Sequence, residues 1–218
     1  MAKRFDLIVF DWDGTLMDSA AAIVAAIQMA CRDLAIEPPS DEQARHIIGL
    51  GLQDALRGAL PGLDPARYRE VAERYRHHYL ARDHELLLFD GAYDLVRALG
   101  DAGFLLAVAT GKSRIGLDRA LNSSGLMPHF HGSRCADECH SKPHPQMLLE
   151  LMEEFDVAPE NTLMIGDTTH DLLMARNARV PALAVSYGAH PKTSLETEAP
   201  LLCAETVAEM HAWLMTNA

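Results

Sequence analysis

The apolar positions of this chain change period along its length. Residues 5–10 form a short run rich in Ile, Leu and Val, which suits a strand buried within a parallel sheet. Over residues 18–36 the spacing turns helical, with Ile23, Ile27, Cys31 and Leu34 on one stripe, and it stops before Pro38-Pro39. Ser40 with Gln43 is a capping-box signature for a second helix reaching Ile48. Gly49-Leu50-Gly51 interrupts, and a third helical stretch runs to Leu60. Asp64-Pro65 then opens a longer helix carrying Tyr68, Val71, Ala72, Tyr75 and Tyr79.

Beyond residue 82 strands and helices alternate. Strands are predicted over residues 104–109, 162–165 and 182–185, and helices over 113–124, 145–155, 171–178 and 205–215. Such alternation specifies a parallel sheet flanked by helices. The expected organisation is an α/β core made of residues 1–17 and 83–218. An all-helical segment, residues 18–82, is inserted after the first strand. Ligands of such sheets bind beyond the carboxyl ends of the strands.

Composition narrows the class of partner. The 218 residues are 49% hydrophobic and carry a formal net charge of -12. That charge argues against nucleic acid or an anionic membrane surface as the main partner. An anionic small molecule would have to be attracted locally, by a metal ion and a few placed cations. No apolar stretch suits a signal peptide or a membrane span, and four cysteines do not read as a disulfide framework, so a cytoplasmic protein is expected. The acidic surface suits a monomer or a homodimer.

Four short motifs fall at the expected strand ends. Asp11 and Asp13 flank Trp12 after the first strand, and residues two apart on an extended backbone face the same way. One carboxylate can then attack as a nucleophile while the other donates and accepts a proton. Alone, the same run reads better as a strand-end turn with two solvated acids. Thr110-Gly111-Lys112 offers a hydroxyl and free amides at a helix start, a cradle for phosphate or an oxyanion, though Thr-Gly is also an ordinary turn. Lys142, one of only four lysines, sits beside Pro143, where it could neutralise a nucleophile and phosphoryl oxygens. Asp167 is placed to join Asp11 around a hard cation. Asp171 could position Lys142 or contribute to that metal shell; it could equally cap the helix that begins there.

The order and spacing of these motifs resemble the haloacid dehalogenase-like hydrolase superfamily across essentially the whole chain, most closely the phosphoglycolate phosphatase-like branch with a helical cap. The resemblance implies a Rossmann-like core with helices on both faces. It implies that Asp11 is the nucleophile, forming an aspartyl-phosphate, and that Asp13 is the general acid/base. Thr110, Gly111 and Lys142 would bind the transferring phosphoryl group. Mg2+ would be held by Asp11, the backbone carbonyl of Asp13, and Asp167. The insert would be a mobile cap.

The composition of the insert discriminates among relatives. It contains no lysine, which disfavours carbon–phosphorus bond cleavage through a Schiff base. Residues 48–52 carry no positive charge, unlike the corresponding loop of the family's sugar phosphomutases. Asp13 separates the chain from dehalogenating members. The leading expectation is a phosphatase acting on a small phosphorylated metabolite, such as phosphoglycolate or a sugar phosphate. A phosphomutase and a non-catalytic binding module are the alternatives. Gly49, Leu50, Gly51, Arg45 and Arg57, with Gln53, are candidate selectivity residues, although both arginines also suit solvated helix positions. Cys135, Cys139, His140 and His144 match no common zinc pattern and are expected to hold no metal. The tyrosines at 68, 75 and 79 are expected to pack within the cap. Arg179, where many relatives have glycine, predicts a different exit from the preceding helix.

Overall fold

The computed structural model describes residues 3–218; Met1 and Ala2, at the start of the predicted core segment, lie outside them. Strand β1 (Leu7–Phe10) leads to four helices: α1 (Ala20–Asp33), α2 (Asp41–His46), α3 (Leu52–Ala59) and α4 (Tyr68–Arg82). Then follow α5 (Ala92–Asp101), β2 (Leu105–Thr110), α6 (Arg114–Ser124), β3 (Gly132–Cys135), α7 (Gln146–Phe155) and β4 (Thr162–Gly166). The chain ends with α8 (Thr169–Ala178), β5 (Ala182–Val185), α9 (Lys192–Glu196), β6 (Cys203–Ala204) and α10 (Val207–Asn217).

The strands form one sheet in the order β3-β2-β1-β4-β5-β6, with every neighbouring pair parallel. This is the predicted doubly wound α/β architecture. β1 is buried along its whole length because both sheet faces are covered. Leu7 and Val9 enter one apolar layer with Met147 and Leu151 of α7 and Met174 of α8. Ile8 and Phe10 enter the other, with Leu95, Leu99, Leu117 and Leu214. Strand order reverses between β1 and β4, which opens a crevice at their carboxyl ends.

Helices α1 to α4 gather a separate apolar cluster that includes Ile23, Ile27, Ile47, Leu56 and Val71. The predicted capping box is formed at α2: Ser40 Oγ accepts from the Gln43 amide, and Gln43 accepts from the Ser40 amide.

Four elements went unpredicted. α5 buries Ala92, Leu95, Val96 and Leu99, a helical spacing legible in the sequence. β3, α9 and β6 carry no such signal. β3 is Gly-Ser-Arg-Cys, an edge strand that needs few apolar residues, and its Arg134 pairs outward with Glu150 and Glu154. The expected change of exit after α8 is overturned. Arg179 adopts the left-handed conformation itself, at φ 61°, and its amide donates to the Ala175 and Arg176 carbonyls. Three satisfied helix-end groups outweigh the strain of an L side chain there.

Candidate active site

The motif residues converge beyond the carboxyl ends of β1, β2 and β4. Trp12 turns its indole into the apolar layer beside Phe10 and Leu16, which leaves Asp11 and Asp13 on the opposite side of the extended backbone. Asp11, Thr110, Lys142, Asp167 and Asp171 are all buried, and Asp13 nearly so.

Lys142 is the charge centre of this cluster. Its Nζ donates to Asp11 Oδ1 and to Asp171 Oδ1, each at 2.6 Å. Burial disfavours its charge, but the two carboxylates outweigh that and its pKa is raised. Asp171 does both things the sequence left open. It caps α8, since its Oδ2 accepts from Thr168 N and Oγ1, and it holds Lys142. The true N-cap is Thr168, with Asp171 three residues inside as the return half of a capping box.

Asp167 is held by other partners. Thr15 Oγ1 donates to Oδ1 at 2.9 Å and the Ala189 amide to Oδ2 at 2.7 Å. A Cβ on Gly14 or Gly188 would overlap this carboxylate, so both loops approach it through glycine. Burial, then the nearby Asp171 charge, pushes Asp167 up to about 7. Burial likewise holds Asp11 well above the ordinary carboxylate range, with Asp171 and Asp167 adding to the effect against Lys142.

Carboxylate oxygens of Asp11, Asp167 and Asp171 lie within 4.8 Å of one another, and Lys142 is paired with two of the three carboxylates. Asp11 Oδ2 is buried and has no hydrogen-bond partner among the described residues. An all-oxygen set with surplus negative charge and one unsatisfied oxygen fits a hard divalent cation. Asp171 accepts three hydrogen bonds, one of them from the Lys142 ammonium, against two from neutral groups at Asp167 and one at Asp11, so Asp11 and Asp167 are the better placed ligands.

Asp13 faces a different set of groups. Its Oδ1 accepts from Ser19 Oγ at 2.6 Å and lies 3.0 Å from Lys112 Nζ. Lys112 also donates to Tyr79 Oη of α4 at 2.9 Å and sits 4.8 Å from that ring's centroid. Burial opposes the Lys112 charge, but Asp13 and the tyrosines prevail and its pKa is raised. Burial pushes the Tyr79 hydroxyl up to about 12, so it remains protonated. Thr110 Oγ1 accepts from the Lys112 amide at 3.2 Å, which fixes the turn after β2.

The loop between α2 and α3 closes over this centre. A Cβ on Gly111 would overlap the Leu50 carbonyl and lie 2.6 Å from that of Gly49, so the loop rests directly on the Thr-Gly-Lys turn. The Gly51 amide donates to Ser141 Oγ at 2.8 Å. His170 and His190 each place Nε2 against the His46 carbonyl, at 2.7 and 3.1 Å. Between this loop, α1, α4 and the core lies a cavity of about 680 Å³ that reaches Asp13.

Gly49, Leu50, Gly51 and Gln53 line that cavity, whereas the half-buried Arg45 and the exposed Arg57 do not; Arg57 pairs with Asp54 on the surface. Tyr75 and Tyr79 also line it, which corrects the expectation that the tyrosines only pack within the helices; Tyr68 donates to the Leu60 carbonyl. Cys139 Sγ lies 3.6 Å from Glu150, the His140 and His144 rings meet at a tilt of 45°, and Cys135 is buried at the end of β3.

A sequence profile of the haloacid dehalogenase-like hydrolases matches residues 8–185. The chain belongs to this family. Over 211 residues it is 36% identical to "Probable phosphatase IndB" of Dickeya dadantii, covering 94% of this chain and 91% of that protein. It is 31% identical over 210 residues to a 5′-nucleotidase of Pseudomonas aeruginosa, with 95% of each chain covered. A phosphoglycolate phosphatase of Agrobacterium fabrum is 31% identical over 188 residues, covering 84% and 81%. Among solved structures, a hydrolase of Pseudomonas syringae superposes with a TM-score of 0.88 at 22% identity, covering 97% and 98% of the two chains. Sequence reasoning within the family pattern missed Thr15, Ser19, Lys112, Tyr79 and Ser141. Lys112 and Thr15 adjoin recognised motif residues, so proximity alone could have flagged them. Ser141 adjoins Lys142 in the same way, whereas Tyr79 gave no local signal.

Proposed function

We propose that this chain hydrolyses phosphate monoesters through an aspartyl-phosphate on Asp11, with residues 18–82 acting as a cap over an α/β core. The observation that carries the proposal is the state of Asp11. One of its oxygens is held by Lys142, and the other is buried with no partner among the described residues. A carboxylate costs free energy to bury in this way unless something comes to meet it. Its family membership and the phosphatase names of its relatives support the same reading.

Asp11 attacks phosphorus, and the bond to the leaving alcohol breaks. Asp13 supplies the proton that the alcohol takes up. Because Oδ1 of Asp13 is engaged by Ser19 and Lys112, Oδ2 is the atom that carries this proton. Asp13 then accepts a proton from the water that cleaves the acyl phosphate and releases Asp11. Lys142 stays charged beside Asp11 and offsets the phosphoryl oxygens, while Thr110 and the Gly111 amide border the same space. Asp11, Asp167 and the Asp13 carbonyl would hold Mg2+, which supplies charge neutralisation for the transferring group. The cap loop shields the site from bulk solvent while the leaving alcohol departs, so that the water admitted to the acyl phosphate is the one Asp13 activates.

Release of phosphate from p-nitrophenyl phosphate, with and without Mg2+, tests the proposal. Asp11→Asn should abolish turnover, and a variant as active as the parent would overturn the assignment of the nucleophile.

A further inference from the structure

Small phosphorylated acids and bulky phosphate esters make opposite demands on the space around Asp13. A two-carbon acid fills roughly 100 Å³, taking the ~30 Å³ share of a liquid water as the measure. It also needs a cation for its carboxylate. The cavity here is about 680 Å³. That lies within the roughly 300–1,000 Å³ typical of pockets that enclose much larger ligands.

The wall is apolar where the leaving group would sit. Ile23 and Ile27 of α1, Ile48 and Leu50 of the cap loop, and the rings of Tyr75 and Tyr79 face the space. The two tyrosines stack with centroids 5.7 Å apart and present flat aromatic surface. At the mouth, Ile115 and Leu80 are exposed to 76% and 45% although both are large apolar side chains. An apolar surface continuing from a buried wall to a solvent-exposed rim marks a binding surface.

The buried polar groups of the wall are already paired inside the protein. Lys112 is taken by Asp13 and Tyr79, and Ser141 Oγ by the Gly51 amide. A substrate carboxylate would reach only the third ammonium proton of Lys112, in competition with the Asp13 charge already beside it. The remaining cations are Arg119, which is paired with Asp83, and Arg76, which is exposed at the rim.

From these observations we infer that the physiological substrate is a monophosphate ester of a bulky alcohol with a largely uncharged, ring-sized body, seated between α1, α4 and the cap loop. This rests on the phosphatase reading above. A small phosphorylated acid such as phosphoglycolate is a poor fit.

The test compares two alkyl esters, 2-(naphthyl)ethyl phosphate and phosphoglycolate, with p-nitrophenyl phosphate as a general control. The naphthyl ester should show a kcat/KM about 100-fold or more above that of phosphoglycolate, the scale on which a few apolar groups discriminate in a fitted pocket. In the double variant Ile115→Asp with Leu80→Asp, at exposed positions that leave folding intact, that ratio should fall about tenfold, mainly through KM. Turnover of p-nitrophenyl phosphate with phosphoglycolate equal or preferred overturns this inference alone. Loss of all three activities in the folded, Mg2+-supplied protein overturns the phosphatase reading and this inference with it.

Discussion

Lys142→Met separates the electrostatic role of the lysine from its shape. Methionine keeps the length and the apolar stem but leaves Asp11 and Asp171 without their shared cation, each having lost a 2.6 Å pair. Breaking a buried ion pair by removing one partner costs about 3–5 kcal/mol. That is a large part of the roughly 5–15 kcal/mol of a typical domain. With a urea slope near 2–3 kcal/mol/M, the unfolding midpoint should drop by about 1–2.5 M at pH 7 in metal-free buffer. Circular dichroism against urea measures this directly. The pH dependence carries a second constraint. Asp11 is already held above its ordinary value of 3.8, chiefly by burial, and loss of Lys142 pushes it further up. A carboxyl whose folded pKa is raised contributes stability that is fully present below the unfolded value and lost as pH rises through the folded one. The deficit of the variant should therefore be widest at pH 7 and shrink as pH falls toward 4. Asp11→Asn added to Lys142→Met should recover part of the stability and no activity. A midpoint within about 0.3 M of the parent at pH 7, or a deficit that widens on acidification, would refute the reasoning.

Two further outcomes follow from the same geometry. Burial pushes Asp167 up to about 7, so in the metal-free protein a proton and a divalent cation compete for it. Mg2+ affinity measured by calorimetry should rise as pH increases from 5 through about 7; an affinity constant across that window would remove Asp167 from the metal site. Arg179 holds φ 61° at the end of α8 with its side chain exposed. Arg179→Gly should stabilise the protein by about 0.5–1 kcal/mol, the relief of left-handed strain less the entropy of glycine. A lower thermal midpoint would contradict that strain.

Local chemistry made much of this protein legible before its structure. The doubly buried β1 had to be a continuous apolar run, and Ser40 with Gln43 had to begin a helix, because each signal lies within a few residues of its effect. The motif residues were legible for the same reason, each lying directly after an apolar strand or before a helix. Asp171 was read with two possible roles because capping is a local act and holding Lys142 is not; the chain separates those two residues by 29 positions. Tyr79 looked like one of several packing tyrosines until α4 was laid across the core, where it meets Lys112. Arg179 breaks the rule that glycine ends such a helix, since the carbonyls to be satisfied belong to the fold and not to the residue type. The sequence by itself determined the alternating core, the helical insert and the candidates for chemistry, since periodicity and strand-end position are properties of neighbouring residues. Only the tertiary structure decided which carboxylate shares a lysine, which oxygen is left without a partner, and how large an apolar space the insert encloses. Those depend on groups brought together across more than a hundred residues, where no local pattern can record the distance.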